Sequence, residues 1–129
     1  MRISFLILIF SFSVPNFASA ASSGATPYFE IKTPFVVNLA DAGSLAFLQV
    51  NAQFKVKNDA VKEYLFIHLP AIQHTMMLIL SEQTASDIKT VAGKQKLREK
   101  TLKEVQDLLT TQIGDSAIED IYFTSFIVQ

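Results

Sequence analysis

Residues 118–129, Ile-Glu-Asp-Ile-Tyr-Phe-Thr-Ser-Phe-Ile-Val-Gln, constrain the fold more than any other stretch. From Ile121 onward β-branched and aromatic residues dominate, and such side chains fit a pleated, half-buried surface better than a helix. Apolar residues fall on both parities: Ile121, Phe123 and Ile127 on one, Tyr122, Phe126 and Val128 on the other. A strand with one wet face would alternate more cleanly. The pattern therefore predicts a central strand, covered on both faces, with Phe123 in the core and helix on one side.

Residues 48–57 give the cleanest periodicity in the chain. Leu48, Val50, Ala52, Phe54 and Val56 alternate with Gln49, Asn51, Gln53, Lys55 and Lys57, which is a strand with one buried and one solvated face. Before it, Tyr28, Glu30 and Lys32 oppose Phe29 and Ile31. Pro34 has no N–H for a ladder, so this reads as an edge strand that bends at Pro34 and resumes through Phe35 to Leu39. The turn at residues 40–44 is short enough for the two strands to form a hairpin.

Helical signals fill the middle of the chain. Asn58 and Asp59 can cap a helix running through Glu63, Tyr64 and Ile67. Pro70 interrupts it and can sit in the first turn of the next, which continues to Leu80. That second helix is apolar nearly all round (Ile72, Met76, Met77, Leu78, Ile79, Leu80), so it should be buried against the sheet or a neighbouring subunit. Thr84 and Asp87 have capping-box spacing for one turn through Ile88. Thr90 caps the longest helix, which ends at Ile113 before Gly114, a favoured residue just past a helix end. Leu97, Leu102, Val105, Leu108, Leu109 and Ile113 form its apolar face, with Lys96, Lys100 and Lys103 opposite. The fold class is α+β: a small, mostly antiparallel sheet, a buried helix and one long amphipathic helix.

A chain of 129 residues with eleven Phe is one domain and can build a core without metal or disulfide. It has no cysteine, which excludes thiol nucleophiles and Cys-bound zinc. Its net charge of −1 argues against nucleic-acid binding, which relies on a basic excess. Residues 1–20 have the parts of a secretory signal: Arg2, an apolar run over residues 3–14, and Ala18-Ser19-Ala20 as a cleavage site. The run falls short of the ~20 apolar residues a spanning helix needs. Cleavage after Ala20 is the expectation and a short uncleaved anchor the alternative; the chain is exported in either case. Residues 21–27 form a small, polar linker, and the folded domain occupies residues 28–129.

No stretch carries a recognisable catalytic site. His68 and His74 are six apart across Pro70, whereas helical metal pairs use i, i+4 spacing, so both read as structural. Gly93-Lys94 lacks the upstream Gly and following Ser or Thr of a phosphate-binding loop. Glu119 and Asp120 are adjacent on a strand and point to opposite faces, which suits solvated acids better than an acid/base pair. No catalytic, cofactor-binding or metal-binding residue is assigned. Six basic residues lie between Lys89 and Lys103, with Glu99 the only acid. They form either a solvated face neutralised by pairs such as Glu99 with Lys103, or a docking surface of Lys96, Lys100 and Lys103 for an acidic partner or anionic lipid.

Several stretches in order resemble the periplasmic domain of the flagellar basal body-associated FliL family. They are Tyr28 with Pro34-Phe-Val-Val-Asn-Leu39, Leu48-Gln-Val50, Leu69-Pro-Ala-Ile72, Leu78-Ile-Leu-Ser81, Thr90-x-x-Gly93-Lys94 with Leu97-Arg98, and Ile121-Tyr-Phe-Thr124 with Phe126-Ile-Val-Gln129. The resemblance implies a domain like those of stomatin and prohibitin (SPFH). It also implies a non-enzymatic accessory or scaffold that forms homo-oligomers, meets the membrane and associates with stator units of the motor. The location it implies is the periplasm, or the periplasmic face of the inner membrane, at the basal body. An exported adaptor of the same fold without a role in motility is the alternative, and a metal-binding protein or enzyme a distant third. The short, signal-like N-terminus departs from the full transmembrane helix usual in the family, and Gln73-His74 stands where a more charged pair is expected.

Overall fold

The computed structural model describes residues 27–41 and 43–129. The signal or anchor expected over residues 1–20, and all of the linker except Pro27, lie outside the described residues. Seven elements follow one another: β1 (Tyr28–Asn38), β2 (Phe47–Val56), α1 (Val61–Ile67), α2 (Leu69–Ser81), α3 (Ala85–Ile88), α4 (Val91–Ile113) and β3 (Ile118–Val128). The strands form a three-stranded antiparallel sheet in the order β1-β2-β3. The domain is thus α+β, with all described helices lying between β2 and β3 in the chain.

β2 is the central strand, and its alternation is realised side chain by side chain. Leu48, Val50, Ala52, Phe54 and Val56 are all buried, while Gln49, Gln53 and Lys55 lie toward the opposite face. β1 pairs with it as the expected hairpin. Between the pairs Ile31–Ala52 and Phe35–Val50, residues Lys32, Thr33 and Pro34 stand opposite Asn51 alone, so the strand bulges at the proline. Ile31, Phe35 and Val37 all point inward across that break. Pro34 is tolerated because an edge strand can bulge where no partner needs its N–H.

β3 is not central. It is the other edge strand, and among the described residues only β2 pairs with it. The two-parity pattern has a different cause from coverage on both faces. Asn51 pairs with Ser125 and Ala52 with Phe123, leaving Thr124 as an extra residue; Lys55 pairs with Asp120 and Val56 with Ile118, leaving Glu119 extra. Each bulge shifts the parity of the residues beyond it. Ile118, Ile121, Phe123, Phe126 and Val128 therefore share the helix-covered face with the β2 core. Tyr122 and Ile127 stay exposed. Phe123, expected in the core, is only half-buried.

The helices close the inner face. Asn58 accepts a hydrogen bond from the Val61 N–H at 3.3 Å and so begins α1. His68 ends α1 and starts α2, Pro70 sits in the first turn of α2, and the two axes meet at 70°. α2 buries Ile72, Met76, Ile79 and Leu80, whereas Met77 and Leu78 are about half exposed at 49% and 53%. Its apolar circumference is therefore only half used by the described chain. Among the described residues no single helix is long and apolar enough to cross a membrane. α4 runs to Gly114, whose left-handed φ of 75° ends it as the sequence suggests. Its buried face is Leu97, Thr101, Val105 and Leu109, flanked by half-buried Leu102, Leu108 and Ile113. Thr101 joins this i, i+4 row because its hydroxyl donates to the Leu97 carbonyl at 2.8 Å.

Phe54 is completely buried and stacks on Phe29 with ring centres 6.5 Å apart. Phe54→Ala should cost about 3–5 kcal/mol of stability. Phe123→Ala, at the half-buried edge, should cost markedly less. Denaturant unfolding of the two variants side by side checks the ranking.

Candidate docking surface

The start of α4 is where charge, backbone and sheet edge converge. Thr90 is extended, and its hydroxyl oxygen accepts the Gly93 N–H at 2.9 Å while donating to the Asp87 carbonyl at 3.3 Å. One side chain thus joins the end of α3 to the start of α4. Thr84 caps the start of α3, accepting from the Asp87 N–H at 3.3 Å. The joint is tight enough to dictate a glycine. A Cβ on Gly93 would lie 1.6 Å from the Asp87 carbonyl oxygen, well inside any possible contact.

The next residues fasten α4 to β3. Lys94 Nζ stands 5.2 Å from the centre of the Phe126 ring, within cation–π range. Leu97 enters the core, and Arg98 pairs with Asp120 in a partly buried contact. Farther along, Gln106 donates to the Ile118 carbonyl at 3.0 Å, beside the Glu119 bulge. Glu119 turns the other way and meets Lys55 at 2.9 Å. The two adjacent acids therefore serve separate ion pairs.

The expected lysine stripe runs along the outer side of α4. Lys100 pairs with Glu82, just past the end of α2, at 2.7 Å, and Lys103 with Asp107 at 2.5 Å. Lys103 is thus matched one turn later than the Glu99 pairing expected, and Glu99 instead accepts from Gln95 at 2.8 Å. Lys89, Lys94 and Lys96 meet no carboxylate among the described residues. Positive charge is therefore least compensated at the first turns of α4, where the helix dipole is also positive. The sequence shows the cluster, but not which lysines have distant partners such as Glu82.

Two open grooves flank these turns. One, about 520 Å³, is lined by Ser86, Asp87, Lys96 and Lys100. The other, about 440 Å³, lies against β3 and is lined by Val91, Lys94, Tyr122, Phe123 and Phe126. His68 is half-buried, His74 is exposed, and no group of three His, Asp or Glu among the described residues could hold a metal ion. Gly93 and Lys94 serve a helix joint and a ring contact, roles unrelated to phosphate binding.

These features define a class: a small α+β module whose distinctive surfaces are a charged helix start and open strand edges, both suited to contact with other macromolecules. The chain belongs to the family described as flagellar basal body-associated protein FliL, whose profile matches residues 28–129. It is 27% identical over 101 residues to the flagellar protein FliL of Aquifex aeolicus (strain VF5), covering 78% of this chain and 60% of that protein. It is 26% identical over 108 residues to the proteins of the same name from Escherichia coli K12 and Shigella flexneri, covering 81% of this chain and 66% of each of those. The chain thus spans 60% to 66% of the length of these relatives.

Two outcomes follow from this geometry. Gly93→Ala should lower stability by about 3 kcal/mol or more, because backbone on both sides must yield; equilibrium unfolding measures it. The second concerns the corner before β3. There Asp115 Oδ1 accepts from Lys57 Nζ and from the Ala117 N–H, both at 2.7 Å. The Lys57 hydrogen bond first, then the Ala117 N–H, hold the Asp115 carboxyl below its ordinary value. A carboxylate depressed in the folded state stabilises above its unfolded pKa of about 3.9, and that stability is lost as pH falls through the folded value. Asp115→Asn should therefore lower the melting temperature at neutral pH, with the gap to wild type closing in acid. Thermal unfolding across an acid series reads this directly.

Proposed function

We propose that this protein is a non-enzymatic accessory or scaffold of the flagellar basal body, associating with stator units to support rotation and swimming. The observation that carries the reading is the match to the flagellar basal body-associated family across residues 28–129. It acts at the periplasmic face of the inner membrane as a homo-oligomer, and its work is contact rather than chemistry. A fold resembling stomatin/prohibitin domains belongs to the same proposal, supported by the combination of a small antiparallel sheet with a long helix packed across it.

Lys96, Lys100 and Lys103 form the docking surface for an acidic partner. Lys96 is exposed and lines the groove shared with Lys100. The Glu82 and Asp107 contacts are solvent-exposed pairs, and such pairs are screened by water and contribute little. Exchanging them for a partner's carboxylates is therefore cheap, and long-range attraction speeds encounter.

Reversing all three lysines to Glu should leave the core intact, since none is buried. Thermal unfolding should stay close to wild type, while a tagged variant loses co-localisation with motors and swimming falls most in viscous medium. Normal localisation and swimming of the folded triple variant would exclude this surface. Failure of the wild-type protein to co-localise with motors would overturn the flagellar reading itself.

A further inference from the structure

The geometry points to a strand-addition site on the open edge of β3, which takes an extended, acidic–apolar segment of a partner protein. Phe47 and Gln129 exchange both backbone hydrogen bonds, at 2.8 and 2.9 Å. In an antiparallel ladder, bonded and non-bonded pairs alternate, so Ile127 and Ser125 are the next residues bonded to β2 through Gln49 and Asn51. The N–H and C=O groups of Phe126 and Val128 therefore face away from β2, toward the open edge. No described strand pairs there. Exposed edges are unstable against further pairing unless blunted by proline, by charge or by covering structure. β1 carries Pro34 and its bulge, whereas residues 125–128 carry neither proline nor charge.

The side chains specify the occupant. Phe126 and Val128 lie on the inner face with Val50 and Leu48, their β2 partners. A residue added directly opposite Phe126 would project to the same face, its Cβ about 4.5–5.5 Å from that of Phe126. That position lies in the groove of about 440 Å³ between α4 and β3, beside Lys94, whose ammonium stands over the Phe126 ring. Lys94 meets no carboxylate among the described residues, and it sits at the positive end of a 23-residue helix. A Glu or Asp of the incoming strand fits there. The next inward position falls against the ring of Phe123 and the side chain of Val91, which is 87% exposed, and takes an apolar residue. Main-chain bonds supply affinity and these two positions supply selectivity, as in other strand-addition sites. Lys94 projects toward β3 and Lys96 toward α3, so this site is separate from the lysine stripe and does not depend on the motor reading.

The test uses the full chain and a short labelled β-strand peptide with a single Glu at one inward position and Val at the next inward position, with the same peptide carrying Lys for Glu as control. The Glu peptide should bind and the Lys peptide should bind at least about tenfold more weakly. Amide exchange at Phe126 and Val128 should slow on binding. Lys94→Glu, at an exposed position, should reverse the charge preference. Val128→Pro removes an outward N–H without touching the bonds to β2, and should abolish binding while thermal unfolding confirms the fold. Equal affinity for the two peptides, unchanged binding by both variants, or binding without protection at Phe126 and Val128 would each overturn the proposal. So would concentration-dependent self-association that protects the same amides without peptide, because the edge would then belong to a second copy of the chain.

Discussion

The inward row of β2 is the constraint on which the rest of this domain depends. A three-stranded sheet with helices on one side has a single face to bury, and only the middle strand is paired along both edges. Leu48, Val50, Ala52, Phe54 and Val56 are that face's axis. Most of the remaining core gathers around it: Ile31, Phe35 and Val37 from β1, Ile118 and Ile121 from β3, and the apolar rows of α2 and α4. The alternation is strict because a one-residue slip would turn the whole row to solvent. The two edge strands, by contrast, can afford bulges, and both have them.

This division explains what was legible in the sequence. β2, the Pro34 break, the Thr84 and Thr90 caps and the Gly114 stop all follow local rules and stand where those rules put them. In β3 parity does not report the buried face, because parity does so only in a strand without bulges. Bulges at Glu119 and Thr124 are set by pairing with β2, a relation between residues some seventy positions apart. No local period encodes it. Thr101 escapes the apolar pattern for a related reason, since its polarity hides a place in the row Leu97, Thr101, Val105, Leu109 that its hydroxyl can occupy by bonding to the Leu97 carbonyl. The lysine cluster was visible as composition, but its division into paired and unpaired members depends on Glu82 and Asp107.

The stretch Thr90-x-x-Gly93-Lys94 with Leu97-Arg98, which carries the family likeness, turns out to be a sequence of attachments. Thr90 ties α4 to α3, and Gly93 lets the two backbones touch. Lys94 reaches the Phe126 ring, Leu97 fills the core, and Arg98 holds Asp120. The result is a helix start fixed against both a neighbouring helix and a strand. The lysines of these first turns stand on backbone anchored at both sides, and a surface ordered in advance loses less conformational entropy in any contact it makes.

The chain order of the sheet has a kinetic consequence. β1 and β2 are neighbours in sequence and can meet as a hairpin in about 1–10 μs. β3 reaches β2 only across all four described helices, a closure whose entropy must be spent before its contacts return anything. Until then the second edge of β2 stays open and α4 has no rings to rest against. Neither the hairpin nor the helices can therefore settle as a finished piece, and the domain acquires its native packing in one cooperative event, when its most distant strand arrives.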